Sequence, residues 1–118
     1  MEKKLFVVNL PDLAKSYLFQ IKFYNYKAEA WNEELMLRAR KIENENIITF
    51  DEFQDFYVSK YFDNLDNNEF RIEIDFYNSE LKEKMYTKVI DHVHLYRLPF
   101  ESLDQSSDKK LQIKVQIV

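Results

Sequence analysis

The 118-residue chain contains no glycine. Phosphate-binding loops, dinucleotide fingerprints and the sharp turn that exposes a nucleophilic serine require glycine, because only a residue without a Cβ lets the backbone approach a ligand closely or adopt a positive φ freely. The sequence therefore excludes nucleotide sites and serine elbows of these kinds. We expect asparagine, which tolerates the left-handed region, to replace glycine at turns and helix ends, as at Asn9, Asn25, Asn44, Asn64, Asn67, Asn68 and Asn78.

Cysteine is absent as well, which excludes disulfide bonds, zinc-thiolate sites and thiol nucleophiles and is typical of a reducing compartment. No apolar run approaches the roughly 20 residues of a membrane span. The charged N-terminus turns apolar only briefly before Pro11, which is typical of a first strand and not of a signal peptide. These absences predict a cytoplasmic protein that acts away from membranes.

The chain does have enough apolar material for a core, since 46% of its residues are hydrophobic and 16% are aromatic. A chain of this length buries one continuous core without help from metal or disulfides, but it is too short for two independent cores. We therefore predict a single domain that spans residues 1–118.

Hydrophobic periodicity predicts a mixture of strands and helices. Alternating apolar and polar residues indicate strands, whereas apolar residues three and four apart indicate helices. These patterns predict strands at residues 4–10, 19–24, 46–50, 70–76 and 111–117, helices at 27–42, 51–65 and 79–97, and a surface loop at 100–110. Asn25 is the expected cap of the first helix. Residues 79–97 also admit a strand, but their alternation is broken on both faces, so we prefer the helix.

One internal repeat is visible, since Ile21-Lys-Phe-Tyr-Asn25 matches Ile74-Asp-Phe-Tyr-Asn78, each closing a predicted strand before a predicted helix. Two such split βαβ units side by side form a ferredoxin-like antiparallel sheet with helices packed on one face. We therefore predict an α+β fold of this kind, with an acidic, aromatic helical insert at about residues 43–80 and an extra N-terminal strand. Chance remains the alternative, because these residue types are frequent throughout the chain.

Negative charge is concentrated in the middle of the chain. Residues 43–80 carry eleven carboxylates against Lys60 and Arg71, although the formal net charge of the whole chain is only −4. Nine phenylalanines and tyrosines are interleaved with these acids. An acidic surface on a packable segment is suited to a basic partner.

The acidic block supplies the candidate partner-binding residues. On a helix, Asp51, Asp55 and Ser59 would form one row in which neighbouring positions are about 6 Å apart, close to the spacing of phosphates along a nucleic acid strand. Such a row predicts a basic, nucleic-acid-binding protein as the partner. An ordinary solvated helix face is the alternative. The predicted contact residues are Asp51, Glu52, Asp55, Asp63, Asp66 and Glu69.

Other chemistry finds little support in the sequence. His92 and His94 would diverge by about 200° on a helix and could not chelate a metal, although on a strand they would share one face. The segment from Asp63 to Ile74 lacks the glycine and the last glutamate of a calcium loop. We predict no metal, no cofactor and no enzymatic activity. The second candidate among binding functions is a ferredoxin-like sheet that binds RNA directly. Against it, the basic residues are scattered in the sequence and the signature of RNA-recognition sheets is missing.

In general character the chain is small, acidic, aromatic-rich, glycine-free and cysteine-free. In this it resembles the short accessory proteins of bacterial phages and plasmids, including anti-CRISPR and other host-defence inhibitors, and also toxin-immunity proteins. The resemblance implies stoichiometric binding to another protein. A defence inhibitor would block a nucleic-acid groove, whereas an immunity protein would cover the active site of a toxin.

Overall fold

A computed structural model of the chain describes residues 18–66, 68–78 and 83–118. The predicted strand at residues 4–10 lies outside these ranges. The fold is α+β, with an antiparallel sheet and two short helices, as the sequence predicts. In chain order the elements are β1 (Phe19–Asn25), β2 (Ala30–Trp31), α1 (Glu33–Arg38), β3 (Ala39–Glu43), β4 (Ile47–Asp51), α2 (Tyr57–Asp63), β5 (Glu69–Tyr77), β6 (Lys84–Arg97) and β7 (Gln112–Ile117).

The seven strands form one sheet in the order β2-β1-β5-β6-β7-β4-β3, and all neighbours are antiparallel. The long strand β6 joins two halves of this sheet, because it pairs with β5 from Lys84 to His94 and with β7 only from Leu95 to Arg97. Three strands separate β1 from β4 in the sheet, yet the rings of Phe23 and Phe50 are 5.5 Å apart. The sheet is therefore bent so that its two halves face each other.

The space between the two halves holds the hydrophobic core. Residues at alternate positions of β1, β5 and β7 point into it, which explains the clean alternation in their sequences. The helices contribute Leu35 from α1 and Val58 and Phe62 from α2. The fully buried side chains include Ile21, Phe23, Leu35, Ile48, Phe50, Val58, Phe70, Ile72, Ile113 and Val115.

The predicted strands at residues 19–24, 46–50, 70–76 and 111–117 and the loop at 100–110 are confirmed. The predicted helix at residues 27–42 is wrong, because only Glu33–Arg38 is helical and the segments on either side pair with β1 and β4. Asn25 does not cap a helix. Its Oδ1 accepts hydrogen bonds from the backbone N–H groups of Lys27 and Ala28, 2.9 and 3.1 Å away, and so closes the turn between β1 and β2.

The predicted helix at residues 79–97 is also wrong, since its described part from Lys84 onward is strand β6. A β-bulge explains the error. His92 has a φ of 53°, and the pairing with β5 shifts there, so that Ile90 and Val93 both face inward-pointing residues of β5. Two core-facing residues three positions apart imitate the spacing of a helix.

The ferredoxin-like arrangement is not confirmed, because the described residues that follow each repeat segment form strands β2 and β6 and not the helices that the prediction requires. Ile21 and Ile74 lie directly opposite each other in adjacent strands. Asn78 belongs to the turn between β5 and β6, where its N–H donates to the carbonyl of Glu83, 3.0 Å away. The acidic segment at residues 43–80 is not a helical insert either, since it contributes β4 and β5 to the sheet and only α2 is helical.

Five described residues adopt a positive φ, namely Glu29, Asn44, Glu45, Phe56 and His92. Among the described residues, Asn44 is thus the one asparagine with a positive φ, and the predicted positions Asn9 and Asn67 lie outside the described ranges. Asn44 and Glu45, with φ angles of 53° and 51°, are the central residues of the turn between β3 and β4, which the N–H of Asn46 closes by donating to the carbonyl of Glu43. Two consecutive left-handed residues define a type I′ turn, in which glycine is preferred at the second position.

Replacing Glu45 by glycine should raise the free energy of unfolding by about 0.5 to 1 kcal/mol, because the left-handed conformation is costly for a residue with a Cβ. Urea denaturation monitored by circular dichroism measures the change. Glu43→Gly is the matched control, since Glu43 is extended in β3 and its replacement should cost stability. Equal destabilisation by both variants would contradict this account of the turn.

Candidate protein-binding surface

The predicted acidic residues do not form a row on a helix. Helix α2 begins only at Tyr57, so Asp51 ends strand β4, while Glu52 and Asp55 lie in the connection between β4 and α2. Ser59, the third member of the predicted row, is buried. Asp63 ends α2, Asp66 lies in the following loop and Glu69 begins β5. The helical spacing that matched phosphates is therefore wrong, because these residues belong to five different parts of the fold.

Glu52 caps helix α2. Its carboxylate accepts hydrogen bonds from the N–H of Val58 (3.2 Å), the N–H of Ser59 (2.8 Å) and the hydroxyl of Ser59 (2.6 Å). The residue at the cap position, Phe56, offers no side-chain hydrogen bond. A carboxylate satisfies the free N–H groups of the first turn and interacts favourably with the helix dipole. Glu52 therefore stabilises the start of α2.

Asp55 holds the buried guanidinium of Arg38. The two nitrogens of Arg38 donate to the two carboxylate oxygens over 2.7 and 2.8 Å, and one of them also donates to Glu34 over 3.0 Å. The guanidinium carbon lies 5.1 Å from the ring centre of Phe53 and 5.0 Å from that of Tyr57. The hydrogen bonds from Arg38, with a further one from the N–H of Tyr57, lower the pKa of Asp55 to about 2.

The remaining acids are paired with basic residues from outside the acidic block. Asp51 binds Arg40 over 2.5 Å, Asp63 binds Arg97 over 2.7 Å, and an oxygen of Glu69 lies 2.7 Å from Nδ1 of His92. Asp66 is exposed and makes no ion pair with another described residue. Much of the negative charge of residues 43–80 is thus neutralised within the molecule, because tertiary contacts place basic side chains from residues 22–41 and 84–97 against these acids.

An open groove of about 1010 Å³ lies between α1, α2 and the turn that joins β1 to β2. We call it the Trp31 groove. It is lined by the aromatic residues Trp31, Tyr57 and Tyr61, by the carboxylates Glu33, Glu34 and Asp55, by four asparagines, and by Lys60 as the basic residue. The rings of Tyr57 and Tyr61 stack with an interplanar angle of 17° and centres 5.9 Å apart. The groove thus combines flat apolar walls with negative charge.

Two asparagines hold the walls of the groove in place. Asn32 caps α1 by accepting the N–H of Leu35 over 3.1 Å, and its Nδ2 donates to the hydroxyl of Tyr57 over 3.0 Å. Asn25, which closes the turn after β1, donates through Nδ2 to the hydroxyl of Tyr61 over 3.1 Å. Both tyrosine hydroxyls are therefore engaged, and the rings are oriented without a ligand.

Sequence reasoning missed this groove. The helix predicted at residues 27–42 places Trp31 on its buried apolar stripe with Leu35, so the sequence does not indicate Trp31, Glu33 or Glu34 as site residues. Trp31 instead lies in edge strand β2, where it is 45% exposed. The one available signal was the spacing of Tyr57 and Tyr61, which places two rings on the same side of a helix.

A second aromatic surface lies on the outer face of the half-sheet made by β2, β1, β5 and β6. The ring centres of Trp31 and Tyr24 are 5.2 Å apart, those of Tyr24 and Tyr26 5.3 Å, and those of Tyr26 and His92 4.9 Å. The cations here are paired with acids, since Arg71 binds Glu73 and Asp91, and Lys22 binds Asp75. This face therefore carries no excess of positive charge.

The two histidines of β6 have separate partners despite lying on a strand. His92 contacts Glu69, while Nδ1 of His94 lies 3.2 Å from the carbonyl oxygen of Asn68. In the described part of the chain, no group of three or more histidine and acidic side chains could hold a metal ion. In the same ranges, neither helix has the length and hydrophobicity that crossing a membrane would need.

No protein-family model, curated protein or solved structure matches this chain. Evidence on its function comes from the surfaces just described.

Proposed function

We propose that this chain is a non-enzymatic inhibitor that binds a basic, nucleic-acid-binding surface of another protein. The Trp31 groove carries the proposal, because it presents aromatic rings and carboxylates together in a concave, pre-oriented surface. Exposed aromatic residues dominate the binding energy of many interfaces, while complementary charge steers the partner and sets specificity. A partner that uses this basic surface for nucleic acid could not hold both ligands at once.

The exposed acids around the groove have a place in this proposal. The side chains of Asp55, Asp63 and Glu69 remain 55%, 60% and 45% exposed despite their internal partners, and Asp66 is also exposed. Asp63 and Glu69 each keep one carboxylate oxygen that makes no hydrogen bond with another described residue, whereas both oxygens of Asp55 bind Arg38. Asp51 and Glu52 are less suited to direct contact, since the contacts of Asp51 hold the end of β4 and Glu52 caps α2. We assign these two a supporting role.

The biological setting that fits such an inhibitor is the cytoplasm of a cell infected by a phage or carrying a mobile element. An anti-CRISPR protein, or another inhibitor of host defence, would block the groove in which a defence protein holds nucleic acid. A toxin-immunity protein is the alternative within the same mechanism, since an acidic aromatic surface is equally suited to a toxin whose active site is basic.

Direct binding of RNA is the second candidate function, and the outer sheet face favours it. Trp31, Tyr24, Tyr26 and His92 offer a run of rings on which unpaired bases could stack. The pairing of Lys22 and Arg71 with acids weakens this candidate, because these acids already neutralise the two cations and leave little positive charge for phosphates.

A nucleic-acid titration separates the two candidates. We expect the purified protein to show no affinity for single- or double-stranded DNA or RNA at low salt, measured by fluorescence anisotropy. A direct binder would show affinity that falls steeply as salt rises, because binding releases counterions. Such salt-dependent binding by the protein alone would favour the RNA-binding sheet over the inhibitor.

Affinity capture with a nucleic acid competitor tests the inhibitor itself. The tagged protein is incubated with lysate of its source cells, with or without excess duplex DNA and RNA, and the bound proteins are identified by mass spectrometry. We expect a basic nucleic-acid-binding protein that is captured without competitor and lost with it. Capture that is insensitive to competitor would contradict occlusion of a nucleic-acid surface.

A further inference from the structure

We infer that the Trp31 groove receives an arginine or lysine side chain of the partner, with the alkyl stem against the aromatic rings and the charged end beside Glu33. This inference rests on the proposed function and adds the chemistry of the contact to it. It follows from the groups that the groove leaves available and from the way in which the same chain holds its own cations.

The groups left available in the groove select for a cation. The hydroxyls of Tyr57 and Tyr61 are engaged by Asn32 and Asn25. Arg38 and the mutual stacking of the two rings also occupy part of their faces, so these tyrosines offer a ligand chiefly the parts of their rings that remain open. Glu34 and Asp55 share Arg38, whereas Glu33 is exposed and makes no ion pair with another described residue. With Arg38 and Lys60 set against three carboxylates, the groove keeps a net negative charge, so it favours a cationic ligand over an anionic one.

The chain shows the same recognition twice at the borders of the groove. Arg38 lies between the rings of Phe53 and Tyr57 and binds Asp55 through a fork of two hydrogen bonds. The ammonium of Lys22 lies 5.1 Å from the ring centre of Trp31 and pairs with Asp75 and Glu73. In both cases an aromatic face and a carboxylate hold the cation together, which is favourable when the charge is partly shielded from water.

The arrangement favours arginine over lysine. A guanidinium is planar and weakly hydrated, so it stacks on an aromatic ring while its edge binds a carboxylate. A lysine ammonium is more strongly hydrated and makes the same contact less well. Trp31 is 45% exposed at the edge of the sheet, where a side chain from a second protein can reach it.

The single tryptophan of the chain makes this inference directly measurable. The protein is titrated with a capped peptide Ala-Arg-Ala-Arg-Ala, and with peptides in which lysine or glutamine replaces arginine, while the fluorescence of Trp31 is recorded. We expect saturable changes with arginine, weaker binding with lysine and no response to glutamine. A response to the glutamine peptide, or no response to arginine, would overturn the inference.

Variants locate the contact. Glu33→Gln should weaken arginine-peptide binding about three- to fivefold, the effect of losing one partly exposed ion pair. Glu83→Gln is the matched control, because Glu83 is also exposed but lies just before β6 and does not line the groove, so it should leave the affinity unchanged. Equal weakening by both variants would show general charge attraction and would overturn the inference. Trp31→Ala should weaken peptide binding by a similar factor. Because this variant lacks the fluorescent residue, its peptide affinity is measured from the chemical shifts of amide groups in α1.

The two levels of the proposal fail separately. If the arginine peptide does not bind while competitor-sensitive capture of a basic protein persists in Glu33→Gln, the inhibitor stands and this contact is wrong. If the peptide binds in the groove but no nucleic-acid-binding protein is displaced by competitor, the cation site stands and the proposed function is wrong.

Discussion

Replacing Phe50 by alanine should lower the free energy of unfolding by about 3 to 5 kcal/mol, which is a large part of the stability of a domain of this size. Phe50 is fully buried in β4 and contacts Phe23 of β1, 5.5 Å away, and Phe62 of α2, 5.8 Å away. The three rings join the two halves of the bent sheet to a helix. Loss of the Phe50 ring leaves a cavity that the strands on both sides cannot close.

Urea denaturation and thermal melting of Phe50→Ala measure this cost. Phe56→Ala is the matched control, because Phe56 is 45% exposed in a turn and its truncation should change stability by less than about 0.5 to 1 kcal/mol. Phe76→Ala should fall between them, since Phe76 is only partly buried at the border of the core. A Phe50→Ala variant as stable as Phe56→Ala would show that the two half-sheets do not share a core.

Replacing Arg38 by methionine should lower the free energy of unfolding by about 2 kcal/mol, which is less than the cost of breaking a fully buried ion pair. Arg38 is buried, but its partners Glu34 and Asp55 remain about half exposed and can be hydrated when it is lost. The variant keeps most of the stem that packs on Phe53 and Tyr57, so the effect reports mainly on the charge and its hydrogen bonds.

The pKa of Asp55 checks this assignment independently. Arg38 lowers it from the ordinary value of 3.8 to about 2, so Arg38→Met should return it toward 3.8 in a carboxyl NMR titration. A carboxylate whose pKa is lower in the folded state stabilises the protein above its unfolded pKa and loses that contribution as the pH falls through its folded pKa. The stability difference between the parent and Arg38→Met should therefore narrow from pH 4 to pH 2. A difference independent of pH across that range would contradict a role for the ion pair.

These contacts change the meaning of the acidic block. Neutralising Asp51, Glu52 and Asp55 together would remove a helix cap and the main partner of a buried arginine, so lost binding by that triple variant could reflect lost structure. Glu33 is the better probe of the surface, because the described structure gives it no ion pair to maintain. The concentration of acids in the sequence points to a surface that binds cations, but much of that binding takes place within the molecule.

Strand β6 shows where local patterns fail. The alternation of β5 and β7 is unbroken and predicts these strands directly, because residues two apart on a strand point to the same side. In β6, the bulge at His92 shifts that alternation by one residue, and the strand passes from one half-sheet to the other. Its buried positions therefore follow no single period. The pairing partner of each residue, which decides its environment, lies far away in the sequence.

The sequence by itself determined the α+β class, four of the strands, the loop at residues 100–110, and the exclusion of glycine-dependent and cysteine-dependent sites. These follow from composition and from periods of two residues, which are local properties. Only the tertiary structure decided the strand order, the bend that brings Phe23 against Phe50, the internal pairing of the acids, and the Trp31 groove. The groove unites Asn25, Trp31, Glu33 and Tyr61, which local periodicity cannot relate because contacts between distant segments bring them together.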